Sequence, residues 1–372
     1  MGKVAIGVVG CGVIGPTHVE ALANSDVAEV VAVADLIEER RRWLAEKYRV
    51  PKTYASGQEL LQDASIQAVI LAVPAGDRIE LGPQALRCRK HLLLEKPVAM
   101  NAQAVRDLIA ARGKLVAGCC SSRFRFQAGA RAATEFLAGG ALGRLRLVRA
   151  RAYNAAGAAP SQTPPDWRLK TDRNGGGILM NWGCYDLDYM LGVLGWSLHP
   201  RTVFAQTWTL PPLLQPHVAA GSDAETHGLA LIRCDDGCMI TFERGEYMTV
   251  ASDAAWQIIG EKGALRMTMT ARDNKHALMF DKVTADRGVV TETVWEGQDE
   301  GSVIHTGPSR DFAAAIREGR QPATGLENAL TIQAITDAIY ASARQGQAIE
   351  VALPGRPKGP VPARGRKAGG TK

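Results

Sequence analysis

Short runs of Val, Ile, Leu and Ala alternate with amphipathic segments over the first 120 residues. The apolar runs predict strands at Val4–Val9, Val30–Ala34, Ala68–Ala72, His91–Leu94 and Leu115–Ala117. The segments between them predict helices at Ile14–Asn24, Glu38–Lys47, Arg78–Cys88 and Asn101–Arg112. Such alternation is typical of a parallel sheet covered by helices on both faces, so we predict a nucleotide-binding α/β domain over residues 1–121.

The pattern changes after residue 121, where strand-like runs follow one another with little helix between them. A helix at Gly129–Leu137 and a strand at Arg144–Ala152 come first. We predict further strands at Arg201–Trp208, Leu229–Cys234, Met239–Arg244, Trp256–Ile259, Leu265–Met269 and Thr291–Trp295, and closing helices at Ser309–Arg317 and Asn328–Arg344. Strands joined by turns indicate a mainly antiparallel sheet, so we predict an α+β domain over residues 122–352 and a disordered tail over 353–372.

Three glycines, Gly10, Gly12 and Gly15, stand directly after the first predicted strand and at the start of the first predicted helix. In the G-x-G-x-x-G motif they allow a tight turn, close approach to a pyrophosphate, and close packing of the helix whose N-terminus holds the negative charge. Val13 and Ile14 belong to the same turn and are candidate cofactor contacts. Asp35 ends the second strand about 20 residues later, where a carboxylate accepts ribose hydroxyls. The motif predicts a dinucleotide site; the alternative is a glycine-rich turn that binds nothing.

Ligands of an open α/β sheet bind at the carboxyl ends of its strands. Ala72 and Pro74 follow the third predicted strand, and Glu95-Lys96-Pro97 follows the fourth. Pro97 holds the preceding residues extended, which fixes Lys96 at the mouth of the cofactor crevice. An ammonium group there can hydrogen-bond a substrate hydroxyl and favour its deprotonated form. The alternative is a surface Glu–Lys pair at the end of a strand.

Composition is that of a soluble globular protein, with 46% hydrophobic and 22% charged residues, and no apolar run approaches the roughly 20 residues of a membrane span. The net charge of +6 equals the six Lys and Arg residues of the acid-free segment 355–372, so the neutral body argues against nucleic-acid binding. The seven cysteines include no C-x-x-C pair, which predicts a reduced interior and no metal site. Met1 is followed almost at once by a strand, so we expect no signal peptide and a cytoplasmic location.

Further motifs, in order along the chain, carry a resemblance to a known family. They are the glycine turn with His18, Glu95-Lys96-Pro97-Val-Ala99, Arg125-Phe126 before Gly140-Ala-Leu-Gly143, Pro165-Asp-Trp167-Arg168, Gly175-Gly-Gly177-Ile-Leu179, and Asp311-Phe312 with Ile316-Arg-Glu-Gly319-Arg and Pro322. The ordered set resembles the Gfo/Idh/MocA oxidoreductases up to about Val351. The resemblance implies a Rossmann domain joined to an open, mainly antiparallel sheet through which a homodimer or homotetramer forms. It also implies NAD(P)-dependent oxidation of a secondary or hemiacetal hydroxyl on a sugar, cyclitol or related polyol.

The chain departs from the family pattern where proton transfer is expected. Many members have D-x-G-x-H-x-x-D after the triple glycine, whereas this chain has Asn181, Tyr185 and Asp188 at its first, fifth and eighth positions. Tyrosine also stands there in the glucose–fructose oxidoreductase and dihydrodiol dehydrogenase branches. A phenol has an ordinary pKa of about 10, which a nearby cation lowers. By resemblance we expect Tyr185 to accept the hydroxyl proton, assisted by Lys96, which contacts nicotinamide and substrate.

The resemblance also supplies candidate substrate contacts. Asn181 and Asp188 flank Tyr185, and Trp167 and Arg168 lie in the irregular loop before the glycines, where residues often determine specificity. Arg78 stands where members often place a histidine near the cofactor, and we interpret it as a solvated helix residue.

The charge of Asp35 favours NAD, because it repels the 2′-phosphate of NADP. NADP stays open, since Arg40, Arg41 and Arg42 follow closely and the tyrosine-bearing branches include NADP users. The leading hypothesis is a net dehydrogenase or reductase. Two alternatives stay open: a redox-neutral, glycoside-cleaving enzyme with tightly bound NAD, and a non-catalytic, dinucleotide-sensing regulator.

Overall fold

The computed structural model describes residues 2–162, 166–270 and 275–354, so the predicted basic tail from residue 355 onward lies outside it, as do the side chains of Asp166 and Trp167. The first half contains β1 Val4–Val9, α1 Gly15–Leu22, β2 Ala28–Ala34, α2 Glu38–Tyr48, β3 Lys52–Tyr54, α3 Gly57–Gln62, β4 Ala68–Leu71, α4 Arg78–Arg87, β5 His91–Leu94, α5 Ala102–Arg112 and β6 Ala117–Cys119. The second half contains α6 Ala128–Ala138, β7 Leu145–Ala155, α7 Thr171–Asn174, α8 Cys184–Val193, β8 Pro200–Trp208, β9 His227–Cys234, β10 Met239–Met248, β11 Asp253–Gly260, β12 Gly263–Met267, β13 Lys275–Thr284, β14 Gly288–Gln298, α9 Val303–Glu318, α10 Leu326–Gln345 and β15 Ile349–Glu350.

The first sheet has the strand order β3-β2-β1-β4-β5-β6, and all of its pairs are parallel. The order reverses between β1 and β4, which opens a crevice at the carboxyl ends of these strands. The predicted α/β fold is confirmed. Periodicity missed β3 and α3, because both are very short and β3 is a polar, largely exposed edge strand.

The second sheet has the strand order β14-β13-β12-β11-β7-β10-β9-β8-β15. β7 and β10 pair in parallel, and the other neighbours are antiparallel, as predicted. Burial alternates along β9, so one face of the sheet is covered and the other is open. The covered face packs against α8 and α10. This arrangement places the start of α8 between the two sheets.

The last two helices return to the parallel sheet. α9 packs on α1, and its Phe312 and Ala313 share a buried cluster with Ile6 and Val8 of β1. Phe312 is fully buried, which contributes about 2–3 kcal/mol to stability. Residue 121 lies between the last strand of the first sheet and the first strand of the second, and α9, which comes after it, covers the parallel sheet. Among the described helices, none is long and apolar enough to cross a membrane.

Candidate active site

The loop after β1 has the geometry that a dinucleotide phosphate requires. Gly10 has a φ of +98°, and a Cβ there would lie 2.5 Å from the carbonyl oxygen of Ala72, so only glycine fits this turn. A Cβ on Gly15 would lie 2.0 Å from the carbonyl oxygen of Gly10, so close packing explains the third glycine. Gly12 faces open space, where a Cβ would meet no atom within 4 Å. Its backbone is therefore free for a ligand to approach.

Helix α1 begins without a side-chain cap. Ile14 occupies the N-cap position, no described side chain accepts a hydrogen bond from the first turn, and the first turn carries no acid. Val13 beside it is fully exposed. Uncapped N–H groups and the positive end of the helix dipole bind phosphate well. The turn therefore fits the phosphates of NAD.

Asp35 directly follows β2 and is tied to the glycine turn. Its Oδ2 accepts a hydrogen bond from the N–H of Cys11 at 2.7 Å, and its Oδ1 accepts one from the N–H of Ile37 at 2.9 Å. Arg41 donates to the carbonyl oxygen of Asp35 at 3.1 Å and pairs with Glu38 at 3.7 Å. A half-buried carboxylate fixed in this way suits a ribose hydroxyl, and Arg41 is already engaged by two acceptors.

The neighbouring strand ends complete the cofactor edge. The N–H of Ala72 donates to Val9 at 2.7 Å, and the N–H of Glu95 donates to Leu71 at 3.1 Å. These bonds bring Ala72 and Glu95 to the same edge as the glycine turn, and Pro74 follows Ala72 by two residues.

Lys96 extends from the end of β5 toward the second sheet. Its Nζ donates to the carbonyl oxygen of Asn181 at 3.1 Å and to Oδ1 of Asn181 at 2.7 Å. Asn181 lies in a short π-helix, Leu179–Gly183, directly before α8. Burial lowers the pKa of Lys96 below its ordinary value, although Glu95 acts in the opposite direction. A lysine in this state can exchange a proton more readily near neutral pH.

A buried carboxylate holds the segment before Asn181 in place. Glu225 accepts hydrogen bonds from the N–H groups of Gly177 at 2.7 Å and Leu179 at 3.0 Å, and from the hydroxyl of Tyr340 at 2.8 Å. A Cβ on Gly177 would lie 1.8 Å from the carbonyl oxygen of Glu225, which explains the glycine. Glu225, which the sequence analysis did not single out, therefore positions Asn181 and, through it, Lys96.

Tyr185 lies in the first turn of α8, inside an aromatic and cationic surround. Its ring centroid lies 5.2 Å from that of Phe124 and 5.5 Å from that of Trp182. Nζ of Lys96 lies 5.1 Å from the ring centroid, and Cζ of Arg123 lies 5.5 Å from it. The hydroxyl is buried and has no hydrogen-bond partner among the described residues. The aromatic ring is thus held beside Lys96, and the hydrogen-bonding capacity of the hydroxyl is unused within the described residues.

We expected Lys96 to lower the pKa of Tyr185, and this expectation is wrong. Burial raises the pKa of Tyr185 well above its ordinary value, and Arg123 is the cation that opposes the increase. The Lys96 ammonium interacts with the ring as a cation–π contact. The phenol therefore stays protonated at neutral pH and can donate a hydrogen bond.

A buried network that the sequence analysis missed supports Glu95. His18 contacts Oε1 of Glu95 through Nε2 at 3.1 Å and Ser309 through Nδ1 at 2.7 Å. Arg123 donates to the same Oε1 at 2.8 Å. Burial alone would raise the pKa of Glu95, but Arg123 and His18 outweigh it and hold the pKa well below its usual range. The network fixes the residue before Lys96.

His18, Glu95 and Cys120 also have the ligand spacing of a metal site, because their ligand atoms lie within 4.8 Å of one another. We assign no metal to them. Glu95 already forms an ion pair with Arg123. Burial raises the pKa of the Cys120 thiol well above its ordinary value, which disfavours the thiolate that would bind a metal.

Arg168 is held at the end of β10. It forms an ion pair with Glu246, and its Nη1 donates to the hydroxyl of Tyr247 at 3.0 Å. About 29% of its side chain is exposed, so a ligand can reach it. The other predicted contact of this loop, Trp167, has a side chain outside the described part of the structure.

The structure gives Asp188 a different place from the one we expected. Its side chain is fully buried and accepts hydrogen bonds from Nε of Arg125 at 2.6 Å, Ser121 at 2.7 Å and Thr324 at 2.6 Å. These three donors occupy the carboxylate, so it ties α8 to the segments around it. We therefore no longer treat Asp188 as a substrate contact.

The interpretation of Arg78 as a solvated residue is wrong. Arg78 is buried, and it donates to the carbonyl oxygens of Val73 at 2.7 Å and of Pro97. The loops after β4 and β5 point the carbonyl oxygens of Val73 and Pro97 toward the interior, and the Arg78 guanidinium supplies the hydrogen-bond donors that these buried acceptors require. Arg78 thus joins the two loops of the cofactor edge.

Known proteins share this sequence pattern and fold. Residues 4–117 match the model of an oxidoreductase family with an NAD-binding Rossmann fold, and residues 130–266 match the GFO/IDH/MocA C-terminal domain. Myo-inositol 2-dehydrogenase of Thermotoga maritima is 26% identical over 261 residues, 70% of this chain and 74% of that protein. A 1,5-anhydro-D-fructose reductase of Ensifer adhaerens is 25% identical over 354 residues, 93% of this chain and 98% of that protein. A levoglucosan dehydrogenase in complex with NADH has the same fold, with a TM-score of 0.83 at 21% identity over 94% of this chain and 100% of that chain.

Proposed function

The chain belongs to the GFO/IDH/MocA family of NAD-binding oxidoreductases, and from that premise we propose that it oxidises a secondary or hemiacetal hydroxyl of a sugar, cyclitol or related polyol. The names of the inositol dehydrogenase and anhydrofructose reductase relatives support this substrate class. The observation that carries the proposal is the position of Lys96. It joins the NAD-binding edge to Asn181, and its Nζ lies 5.1 Å from the ring centroid of Tyr185, whose hydroxyl has no partner among the described residues.

Lys96 is the group that accepts the hydroxyl proton in this proposal. Burial lowers its pKa, which favours the neutral amine, and its bond to Asn181 fixes the direction of Nζ. NAD, when bound, supplies the acceptor for the hydride from the same carbon. In the reverse direction the Lys96 ammonium returns the proton to the carbonyl oxygen.

Tyr185 donates a hydrogen bond in this mechanism and does not titrate. Its raised pKa keeps the phenol protonated, and its hydroxyl has no partner within the described chain, so a substrate oxygen can take that bond. This assignment reverses the roles expected from the sequence, where Tyr185 accepted the proton and Lys96 assisted.

The cofactor preference we propose is NAD over NADP. Asp35 places a negative charge next to the ribose-binding turn, and Arg41 and Arg42 both pair with Glu38. The 2′-phosphate of NADP would be repelled by the Asp35 carboxylate. To bind that phosphate, Arg41 and Arg42 would have to break their ion pairs with Glu38.

The partner we propose for the open face of the second sheet is another copy of this chain. Phe204, Leu229 and Leu231 are 52%, 38% and 43% exposed on that face. Clustered exposed apolar residues mark association surfaces, and identical faces can pair around a twofold axis. Light scattering behind a sizing column should give a dimer or tetramer; a monomer at micromolar concentration would contradict this proposal.

The proposed activity is tested by near-ultraviolet absorbance of NADH with purified protein, NAD or NADP, and a panel of inositols, aldoses, glycosides and sugar acids. We expect NADH to accumulate with one substrate class. In Lys96→Ala we expect this NADH formation to be lost while the affinity for NAD is retained. The surface variant Lys262→Ala is the matched control. If a glycoside is consumed without NADH accumulation and NAD copurifies, the redox-neutral alternative is correct. If no substrate of the panel is consumed, the proposed substrate class is wrong.

A further inference from the structure

A second polar surface continues from Tyr185 along the covered face of the antiparallel sheet. The ring of Trp182 lies 5.5 Å from that of Tyr185, and Cζ of Arg244 lies 4.7 Å from the Trp182 ring. Glu246 follows two residues later on the same face of β10, paired with Arg168. We call Arg168, Arg244 and Glu246 the distal wall. Ring contacts connect it to Tyr185 through Trp182.

The carboxylate of the distal wall is only half used. Glu246 is 5% exposed, and one oxygen, Oε2, accepts from Arg168. The other oxygen, Oε1, is buried and has no hydrogen-bond partner among the described residues. Burial raises the pKa of Glu246, although Arg168 and Arg244 oppose the increase. A buried carboxylate oxygen without a donor is costly, so a donor supplied by a ligand would stabilise it.

A rigid support holds Arg168 next to this carboxylate. Tyr247 is not part of the distal wall, but its hydroxyl accepts a hydrogen bond from Nη1 of Arg168 at 3.0 Å. A small apolar cluster lies behind this pair, and it includes Leu169, Leu214 and Val218. Arg168 is thus braced from two sides while part of its guanidinium remains exposed. A ligand that contacts the exposed part of Arg168 lies next to its ion-pair partner Glu246.

The charges of the distal wall are already balanced within the protein. Arg168 pairs with Glu246, and Arg244 lies 3.4 Å from Asp186, which also accepts from Trp256 at 3.0 Å. A carboxylate on the ligand would have to displace one of these pairs and would lie close to Glu246. An uncharged ligand with hydroxyl groups meets neither cost.

We propose that Glu246 is the specificity-determining residue of the site, and that Oε1 accepts a hydrogen bond from a non-reacting hydroxyl of a neutral polyol. Arg168 orients the carboxylate and excludes a competing cation. The site accordingly disfavours sugar acids. This inference rests on the proposed function, because it concerns the part of the same substrate that lies away from Lys96.

The test is calorimetric binding of myo-inositol, D-glucose and D-glucuronate to the protein saturated with NADH, in the wild type and in Glu246→Gln. A hydrogen bond to a charged acceptor is lost in the variant, so we expect the neutral polyol that binds to weaken about tenfold or more. D-glucuronate should weaken less or improve, because the repelling charge is gone. NADH affinity serves as the check of folding. Glu261→Gln, the same change at an exposed ion pair, should leave all affinities within about twofold.

Three results would overturn the proposal: unchanged polyol affinity in Glu246→Gln, a wild type that prefers D-glucuronate to D-glucose, or no saturable binding of either neutral probe. If Glu246→Gln fails to bind NADH, Glu246→Asp replaces it, since it keeps the charge and withdraws the oxygen by one methylene; the same loss is expected. NADH formation is followed in parallel. Polyol binding that depends on Glu246 without any NADH formation would refute the redox proposal and leave this one standing. NADH formation whose kcat/KM is unchanged in Glu246→Gln would refute this proposal and leave the redox proposal intact.

Discussion

Replacing Asn181 by Asp tests whether Lys96 is the group that exchanges the proton. Oδ1 of Asn181 lies 2.7 Å from Nζ of Lys96, so Asn181→Asp puts a negative charge in hydrogen-bond contact with the ammonium. In the unmodified protein, burial lowers the pKa of Lys96 below its ordinary value. An opposite charge at this distance favours the ammonium and raises that pKa.

The expected magnitude follows from the size of such charge effects. An opposite charge within about 4–6 Å shifts a pKa by roughly 1–3 units, so we take about 2 units, or about 2.7 kcal/mol. In the oxidation direction the amine must be neutral. At pH values below both pKa values, kcat/KM for polyol oxidation should therefore fall about 100-fold. The loss should disappear at high pH, and reduction, which needs the ammonium, should lose little at neutral pH.

The assay is the pH dependence of kcat/KM in both directions, followed by NADH absorbance. Asn154→Asp, the same change at an exposed position, is the matched control and should leave the profile unmoved. If the apparent pKa of oxidation does not move in Asn181→Asp while the activity survives, Lys96 is not the titrating group. An equal loss at every pH would instead indicate displaced geometry and would also count against the reasoning.

Three further predictions concern other residues of the site. Tyr185→Phe should lower kcat/KM about 100-fold without moving the pH profile, because a protonated phenol donates one hydrogen bond; a moved profile would restore Tyr185 as the base. Asp35→Ser should relax the preference for NAD over NADP in kcat/KM, and an unchanged ratio would remove Asp35 from the argument. Glu95→Gln should destabilise the protein in urea unfolding at neutral pH by about 3 kcal/mol. Because the pKa of Glu95 is lowered on folding, this difference should be complete above about pH 5 and shrink as the pH falls below about 4; a difference that grows in acid would contradict the assignment.

The sequence predicted the parts of the site that depend on local backbone geometry. Gly10 and Gly15 cannot carry a Cβ because nearby backbone oxygens lie within 2.5 Å of where it would be. Such a constraint acts over a few residues, so spacing reveals it. Lys96 was predictable for the same reason, since the strand before it and Pro97 after it fix its place.

Contacts between distant segments could not be predicted in this way. His18 meets Ser309 across 291 positions and Glu95 across 77 positions, and no periodicity encodes either contact. Arg78 looked solvated because its helix is amphipathic, yet two loop carbonyls draw it inward. Asp188 was expected in the pocket because the family pattern has an acid there, yet three donors from other segments occupy it.

The two departures from the family pattern explain each other. An acid at position 181 would keep Lys96 charged, and a histidine at position 185 could then titrate near neutral pH. Here Asn181 binds Nζ without adding charge, and burial lowers the pKa of Lys96. Burial also raises the pKa of the neighbouring Tyr185 phenol, which therefore stays protonated and does not exchange a proton in the proposed mechanism. A chain with only one of the two changes would hold either a charged lysine beside an inert phenol or two groups competing for one proton. In the mechanism we propose, the pair of substitutions therefore moves the proton-accepting role from position 185 to Lys96 while keeping one acceptor and one donor at the reacting oxygen.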